Sequence, residues 1–133
     1  MKPEFSLNII TPSHIKKLDG LSYFRAEDSS GSFGILSGHI EFLTILEPSI
    51  AISLIDGVEE YFAFNGGILS FKKEMLTVTT KEFVHSKQID ELKATIARFT
   101  KERQEKESIF HLNMENLQKA FFKKMIEMER GLE

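Results

Sequence analysis

Apolar and polar residues alternate along short segments in the first two thirds of the chain. Phe5–Ile10 reads FSLNII, the period-two pattern of a half-buried β-strand, and Leu21–Asp28 (LSYFRAED) is a second candidate strand. Ser49–Ile55 and Val58–Phe64 are joined by an Asp-Gly pair. Because a type I′ turn needs positive φ at both central residues, Asp-Gly between two such segments predicts a β-hairpin.

Turn residues separate two further candidate strands. Asn65-Gly66-Gly67 precedes the segment ILSF, and KKE precedes MLTVTT. Many short strands with frequent turn signals are typical of an antiparallel sandwich or barrel. Eight of the twelve phenylalanines fall in this part of the chain, where we expect them to fill the space between two sheets.

The proline and glycine content of the sequence changes near residue 86. All three prolines and seven of the eight glycines precede it, so we predict a β domain over residues 1–85 and a helical domain over 86–133. Ser86 suits the N-cap of a first helix, and the segment SIFHLN weakly interrupts the helical pattern. We therefore predict an αα-hairpin. Its two apolar stripes are Ile89, Leu92, Ile96 and Phe99, then Met114, Leu117, Phe121, Met125 and Met128.

Composition narrows the functional classes. With 41% hydrophobic and 28% charged residues, the chain has the composition of a soluble globular protein. The net charge of −3 gives no electrostatic footprint for nucleic acid or anionic lipid. No apolar run is long enough to span a bilayer, the N-terminus does not resemble a signal peptide, and cysteine is absent. We therefore expect no nucleic-acid partner, no membrane insertion and no thiol chemistry.

The segment GSFGILSGHIEFLTIL holds three glycines and a histidine that invite a chemical interpretation. The spacing of Gly31, Gly34 and Gly38 matches neither a P-loop nor a dinucleotide fingerprint, which favours ordinary turns. His39 and Glu41 would share a face if they lay on a strand, but a catalytic or metal site needs at least one more oriented group. We expect no catalytic residue and no metal ligand here.

Two other features have both a structural and a functional interpretation. Asn65-Gly66-Gly67 could form an oxyanion nest, although a tight turn between strands is the favoured interpretation. Asp90 and Lys93 lie one helical turn apart, so a local ion pair is favoured over a nucleotide pocket. The methionine-rich second stripe suits a core or hairpin seam, or an adaptable docking helix.

The order of these segments resembles the epsilon subunit of bacterial F-type ATP synthases, which is called delta in mitochondria. The similarity covers nearly the whole chain and rests on GSFGILSGHIEFLTILEPS, on EEYFAFNGGILSFKKEMLTVTTKEFVHSKQID and on the helical region that follows. The residues that match the family's motifs are Gly31, Gly34, His39 and Leu43, then Gly66, Gly67 and Leu69, then Val78, Thr79, Ile89 and Asp90.

The resemblance implies a ten-stranded β-sandwich followed by a helical hairpin. It implies a non-catalytic subunit of the central stalk, or rotor, that links the gamma subunit to the c ring. The C-terminal helices would regulate ATP hydrolysis by extending toward the alpha/beta head. The implied location is peripheral, at the cytoplasmic face of the bacterial inner membrane, in a proton- or sodium-translocating enzyme.

The same resemblance implies two interfaces. The gamma interface would contain Thr11, His39, Ile40, Phe42 and Leu43, with His39–Leu43 on a strand and an exposed Phe42 or Ile40 supplying apolar burial. The loop that faces the c ring would contain Ser30, Gly31, Ser32 and Phe33.

Several residues depart from the family's pattern. Ser37 stands where proline is common, so that turn should be less rigid. Some members bind ATP as a regulatory ligand through a motif whose arginine is replaced here by Lys93, and a lysine lacks the planar fork of arginine. Glu127 stands at the position of a second arginine and would repel a triphosphate. The run AFFKKMIEM suggests the alternative ion-translocating type of the enzyme. The residues that the ATP site would use are Ile89, Asp90, Lys93, Ala94 and Lys123.

Two alternatives to a stalk subunit stay open at this point. The first is an ATP-sensing regulatory module on the same fold. The second is a small sandwich enzyme that uses His39 and Glu41, which would require a concave pocket around both side chains.

Overall fold

A computed structural model describes residues 3–131 of the 133-residue chain. Within that range the chain forms nine β-strands followed by one α-helix. The elements are β1 Phe5–Ile10, β2 Ile15–Asp28, β3 Gly31–Ile35, β4 Phe42–Leu46, β5 Ser49–Ile55, β6 Val58–Phe64, β7 Gly67–Lys72, β8 Met75–Thr79, β9 Phe83–Ser86 and α1 Asp90–Gly131.

The nine strands belong to one continuous mixed sheet. Its strand order is β1-β8-β7-β4-β2-β5-β6-β9, with β3 paired to β2 and β1 paired to β2 as well as to β8. The long strand β2 pairs with β1 through its first half and with β3 and β5 through its second half. All pairings are antiparallel except β1 with β8, which is parallel. The prediction of about ten strands in a purely antiparallel arrangement therefore needs correction.

The inner faces of the strands enclose one apolar core. Alternation is regular in β1, where Phe5, Leu7 and Ile9 are buried and the residues between them are half-exposed. The expectation that phenylalanines fill the space between the sheet faces is confirmed, since several are almost completely buried and stack on one another. The most buried of them are Phe5, Phe24, Phe62, Phe64 and Phe71.

The predicted Asp-Gly hairpin is confirmed. Ile55 pairs with Val58, which leaves Asp56 and Gly57 as a two-residue loop between β5 and β6. Their φ angles are 50° and 78°, both positive as a type I′ turn requires.

The helical hairpin is not formed, because α1 runs without a break from Asp90 to Gly131. The segment SIFHLN was expected to interrupt it, but it contains neither glycine nor proline. Serine, histidine and asparagine inside a helix cost only about 0.5 kcal/mol each relative to alanine, which is too little to end a helix by themselves.

The helix also begins later than predicted. Ser86 ends β9 and does not cap α1 from the expected position. Its hydroxyl accepts a hydrogen bond from the Gln88 N–H at 3.0 Å and donates one to Glu91 Oε2 at 2.6 Å. Ser86 thus satisfies one backbone N–H just before α1 and one carboxylate oxygen in its first turn.

The chain divides into two compact units, one that ends at Thr100 and one that begins at Lys101. The first unit contains the sheet and the start of α1, whose Leu92 and Phe99 are buried with Ala63 of β6. In the second unit, α1 exposes many large apolar side chains. They are Ile109, Phe110, Leu112, Met114, Leu117, Phe121, Phe122, Met125, Ile126 and Met128. The predicted domain boundary after residue 85 stays a prediction.

Candidate functional site

The outer face of β4 and β7 carries large apolar side chains that the core does not use. In β4 the inward positions hold Phe42 and Leu46, whereas Leu43 and Ile45 point outward and are 72% and 69% exposed. Ile45 lies directly opposite Ile68 of β7, which is also exposed. Paired residues lie on the same face of a sheet, so these side chains form a continuous apolar patch.

This patch continues across the neighbouring strands. Ile68 pairs with Thr79 of β8, Thr79 pairs with Ile10 of β1, and Ile10 pairs with Ile15 of β2. Ile15 is itself 67% exposed. We call these five positions, Ile45, Ile68, Thr79, Ile10 and Ile15, the apolar row. An exposed apolar surface of this kind commonly marks a protein–protein interface.

The predicted site residue Thr11 lies at one end of the apolar row, in the turn between β1 and β2. Its backbone N–H donates to the His14 carbonyl at 3.0 Å, and its hydroxyl donates to the same carbonyl at 3.1 Å. The hydroxyl also accepts from the His14 N–H. Thr11 therefore fixes the shape of this turn beside Ile10 and Ile15.

The other predicted residues of this site lie at the opposite end of the row. Ile40 is 78% exposed, whereas Phe42 is half-buried and packs against the core. Of the two candidates for apolar contact with a partner, the structure therefore exposes Ile40. The expected strand over His39–Leu43 begins only at Phe42, so residues 39–41 belong to the connection between β3 and β4.

His39 has a packing role in this connection. Its Nδ1 lies 2.7 Å from the Ile40 carbonyl oxygen and donates to it, and its ring meets the rings of Phe42 and Phe71 edge-on. Glu41 is exposed and does not share a strand face with His39. A depression beside β4 is lined by Glu41 and Lys72 among others, and His39 does not line it. His39 and Glu41 therefore do not line a common pocket, which the sandwich-enzyme alternative would require.

The turn between β2 and β3 is organised by Asp28. Its carboxylate accepts hydrogen bonds from the Ser30 N–H at 2.9 Å, from the Ser30 hydroxyl at 2.5 Å and from the Thr44 hydroxyl at 2.7 Å. These bonds, that of the Ser30 hydroxyl foremost, hold the pKa of Asp28 below its ordinary value. The predicted loop over Ser30–Phe33 needs correction, because only Ser30 lies in the turn and the other three residues belong to β3. Ser30, Gly31 and Ser32 are exposed, whereas Phe33 packs against the core.

The residues considered for ATP belong to two compact units of the chain. Asp90 and Lys93 form an exposed ion pair at 2.9 Å, the local arrangement favoured from the sequence. Ile89 and Ala94 lie beside them in the chain, and Ala94 is exposed. Lys123 belongs to the second compact unit, so the five residues are divided between the two units and the ATP site stays a prediction.

Sequence reasoning missed Ile15, Ile45 and Ile68, which make up most of the apolar row. A signal for Ile45 was present in FLTIL, where both the inward and the outward positions of a strand are apolar. Such a strand buries one face in the core and has apolar residues left on the other.

The edge of the sheet near the start of α1 contains a Lys-His-Glu cluster. Lys16 Nζ donates to His85 Nδ1 at 3.0 Å, and His85 Nε2 donates to Glu60 Oε1 at 2.9 Å. The His85 ring also stacks on Phe62, with ring centroids 4.4 Å apart. Burial, together with the charges of Lys16 and Lys87, lowers the pKa of His85, although Glu60 opposes this shift.

This cluster predicts that acid weakens the fold. His85 has an ordinary pKa of 6.5 and a lower one in the folded chain, so the unfolded chain binds more protons below pH 6.5. The stabilisation is complete above that value and is lost as the pH falls toward the lowered pKa. Urea unfolding between pH 7.5 and pH 5 should show this loss, and an NMR titration should place the His85 pKa below 6.5.

The matched variant for this prediction is Lys16→Met, which removes the neighbouring cation and keeps most of the side-chain length. The pKa of His85 should then rise relative to the unmodified chain, and stability should depend less on pH. An unchanged His85 titration in this variant would contradict the assigned role of Lys16.

Within residues 3–131, no group of three or more His, Asp or Glu side chains is arranged to hold a metal ion. No helix in that range is both long and apolar enough to cross a membrane.

Comparison with known proteins gives a consistent result. The family model for the ATP synthase delta/epsilon chain, β-sandwich domain, matches residues 4–86. The chain is 32% identical over 96 residues to the ATP synthase epsilon chain 2 of Cereibacter sphaeroides, covering 70% of this chain and 66% of that protein. It is 37% identical over 79 residues to the ATP synthase epsilon chain of a Psychrobacter species, covering 59% of this chain and 57% of that protein. The matches thus span less than two thirds of these relatives.

Solved structures share the fold at low sequence identity. A chain of the mitochondrial ATP synthase of Euglena gracilis, a complex of OSCP, F1 and the c ring, aligns with a TM-score of 0.58 at 18% identity. That alignment covers 62% of this chain and 54% of the Euglena chain. A chain from the central stalk and c ring of Tetrahymena thermophila mitochondrial ATP synthase aligns with a TM-score of 0.52 at 18% identity, covering 63% of this chain and 66% of the other.

Proposed function

Because this chain belongs to the delta/epsilon family of ATP synthase chains, we propose that it is the epsilon subunit of an F-type enzyme. In this proposal it is a non-catalytic part of the central stalk, which joins the gamma subunit to the c ring. It is peripheral to the membrane, on the cytoplasmic face in a bacterium. The relatives named epsilon chain and the stalk and c-ring chain of similar fold support this role.

The observation that carries the proposal is the apolar row with its neighbours Ile40 and Leu43. Ile10 is half-buried, and the other side chains of this surface are exposed although the core of the domain is complete without them. Burying them against the gamma subunit would contribute about 25 cal/mol for each Å² of apolar surface removed from water. Thr11 and His39 then act by shaping the two turns that border the surface.

The proposal places the c ring at the β2–β3 turn. Ser30, Gly31 and Ser32 expose small polar or uncharged groups, and Asp28 holds the turn in one conformation. A small, ordered polar turn and strand start suit contact with a ring of identical loops, where many weak contacts repeat. Phe33 supports the loop from the core side.

The proposal gives α1 a regulatory role toward the alpha/beta head. The exposed apolar side chains between residues 109 and 128 support docking of this segment onto a partner rather than permanent exposure to water. α1 is one continuous helix from Asp90 to Gly131. The ATP-sensing role stays a prediction. The assignment to the alternative ion-translocating type of the enzyme stays a prediction.

Binding to the purified gamma subunit tests the central point. The Ile45→Glu variant places a charge in the middle of the apolar surface, so its affinity for gamma should fall by about 30-fold or more, the effect of a central interface residue. Its urea unfolding should be nearly unchanged, because Ile45 is 69% exposed in the free chain. Calorimetry or biolayer interferometry would measure the affinity.

Val58→Glu provides the matched control, because Val58 is an exposed apolar residue at the β5–β6 hairpin, outside the apolar row. It should bind gamma within about twofold of the unmodified chain. If the unmodified chain fails to bind gamma at micromolar concentration, the stalk assignment is wrong. If both variants bind equally well, the interface lies elsewhere.

A further inference from the structure

The turn between β7 and β8 contains two residues with an unfavourable backbone conformation. Lys72 pairs with Met75, so Lys73 and Glu74 form a two-residue hairpin loop. Their φ angles are 50° and 59°, in the left-handed region that favours glycine, asparagine and aspartate. Neither residue is suited to this conformation by its backbone preference. A glutamate in this unfavourable conformation indicates that its side chain has a specific role.

The Glu74 carboxylate reaches across to the connection between β3 and β4. Its Oε2 accepts a hydrogen bond from the Ser37 hydroxyl, and its Oε1 accepts one from the Gly38 N–H at 2.7 Å. The Ser37 bond, followed by the Gly38 bond, lowers the pKa of Glu74 from its ordinary value. The carboxylate is therefore ionised at neutral pH, and both bonds are charge-assisted.

The segment held by Glu74 is itself a defined turn. The His39 N–H donates to the Leu36 carbonyl at 3.1 Å, and Gly38, the third residue of the turn, has a φ angle of 82°. These features identify a type II turn, in which the second position, here Ser37, favours proline. Serine leaves that position less restricted than proline would, and the contact with Glu74 supplies a restraint from outside the turn.

The turn leads directly into Ile40 of the proposed docking surface and carries a further exposed apolar side chain, Leu36. Leu36 is 57% exposed and Ile40, immediately after the turn, is 78% exposed. Neither side chain is fixed by burial in the core. Their positions depend on the backbone of the turn, and the hydrogen bonds to Glu74 join that backbone to the β7–β8 hairpin.

We propose that Glu74 is a positioning residue for partner docking: its carboxylate clamps the Leu36–His39 turn and so holds Leu36 and Ile40 in place. This inference rests on the proposed function, because it assumes that the surface binds gamma. The clamp lowers the cost of ordering the turn on binding, since the turn is already ordered in the free chain.

The variant Glu74→Gly removes the carboxylate and relieves the left-handed strain at the same time. We expect the Gly38 amide to exchange with solvent at least about tenfold faster, because it loses a charge-assisted acceptor. We expect gamma affinity to fall about fivefold or more. The urea midpoint should change little, because relief of the positive φ offsets the loss of the two hydrogen bonds. A loss of binding without a loss of stability distinguishes positioning from a general structural role.

Lys73→Gly is the matched control, because it relieves the same kind of strain in the same turn and leaves the clamp intact. Its Gly38 exchange and its gamma affinity should equal those of the unmodified chain. The double variant Glu74→Gly with Ser37→Pro supplies a rescue, since proline at the second position of a type II turn restores the restraint locally. Its gamma affinity should return toward that of the unmodified chain.

The possible outcomes separate this inference from the proposed function. Gly38 exchange is measured on the isolated chain, so an unchanged rate in Glu74→Gly overturns the clamp whether or not gamma binds. Faster exchange with unchanged gamma affinity overturns the positioning role. If the unmodified chain does not bind gamma, the proposed function is wrong, and the docking role of Glu74 is then wrong as well.

Discussion

Substituting Gly67 by alanine should destabilise the β domain by about 3 kcal/mol or more, a large part of the roughly 5–15 kcal/mol that a domain of this size possesses. Gly67 begins β7 with a φ angle of 132°, which residues with a side chain rarely adopt. A Cβ at this position would overlap the carbonyl oxygen of Thr79 and lie 3.1 Å from the Thr80 Cβ. Backbone atoms of β8 cannot move aside without breaking their pairing with β7.

The control for this prediction is Gly57→Ala in the β5–β6 hairpin. Gly57 also has a positive φ angle, 78°, but a Cβ there would meet nothing within 4 Å. Only the conformational cost of about 1 kcal/mol should appear. Urea unfolding monitored by circular dichroism measures both variants. Equal destabilisation by the two would contradict a steric role for the close approach at Gly67.

Substituting Phe99 by alanine should release the first turns of α1 from the sheet. Phe99 is fully buried with Leu92 of the helix and Ala63 of β6. Removing a buried phenylalanine costs about 3–5 kcal/mol. Because this cluster is separate from the main core, we expect the loss to appear as faster hydrogen exchange over residues 90–100, with smaller changes in β1 and β8.

Phe110→Ala serves as the comparison on the same helix. Phe110 is 62% exposed, so its removal should change stability by no more than about 0.5 kcal/mol in either direction. Comparable effects of Phe99→Ala and Phe110→Ala on the exchange of residues 90–100 would show that packing at Phe99 does not anchor the helix.

The candidate site could be predicted only in part from the sequence. Motif positions pointed to Ile40 and Leu43, which are exposed, and to Phe42, which packs inward. A strand over His39–Leu43 would place Ile40 and Phe42 on one face. Because β4 begins only at Phe42, Ile40 lies in the preceding connection and is exposed, whereas Phe42 packs against the core.

The sequence does not predict three isoleucines of the apolar row, and the reason is different. Ile15, Ile45 and Ile68 belong to three separate strands, and each alone is an unremarkable apolar residue on a strand. They become one surface because β4, β7, β8, β1 and β2 lie side by side in that order. No local pattern contains this order, since it depends on pairings between distant segments.

By itself the sequence determined the features that depend on neighbouring residues: the alternation in β1, the Asp-Gly turn, and the helical stripe that buries Leu92 and Phe99. Only the tertiary structure decided the parallel pairing of β1 with β8, the apolar row, and the contact of Glu74 with Ser37. Backbone conformation and periodicity act over a few residues and can be read from the sequence. Strand neighbours and long-range hydrogen bonds depend instead on which faces the whole chain can bury together.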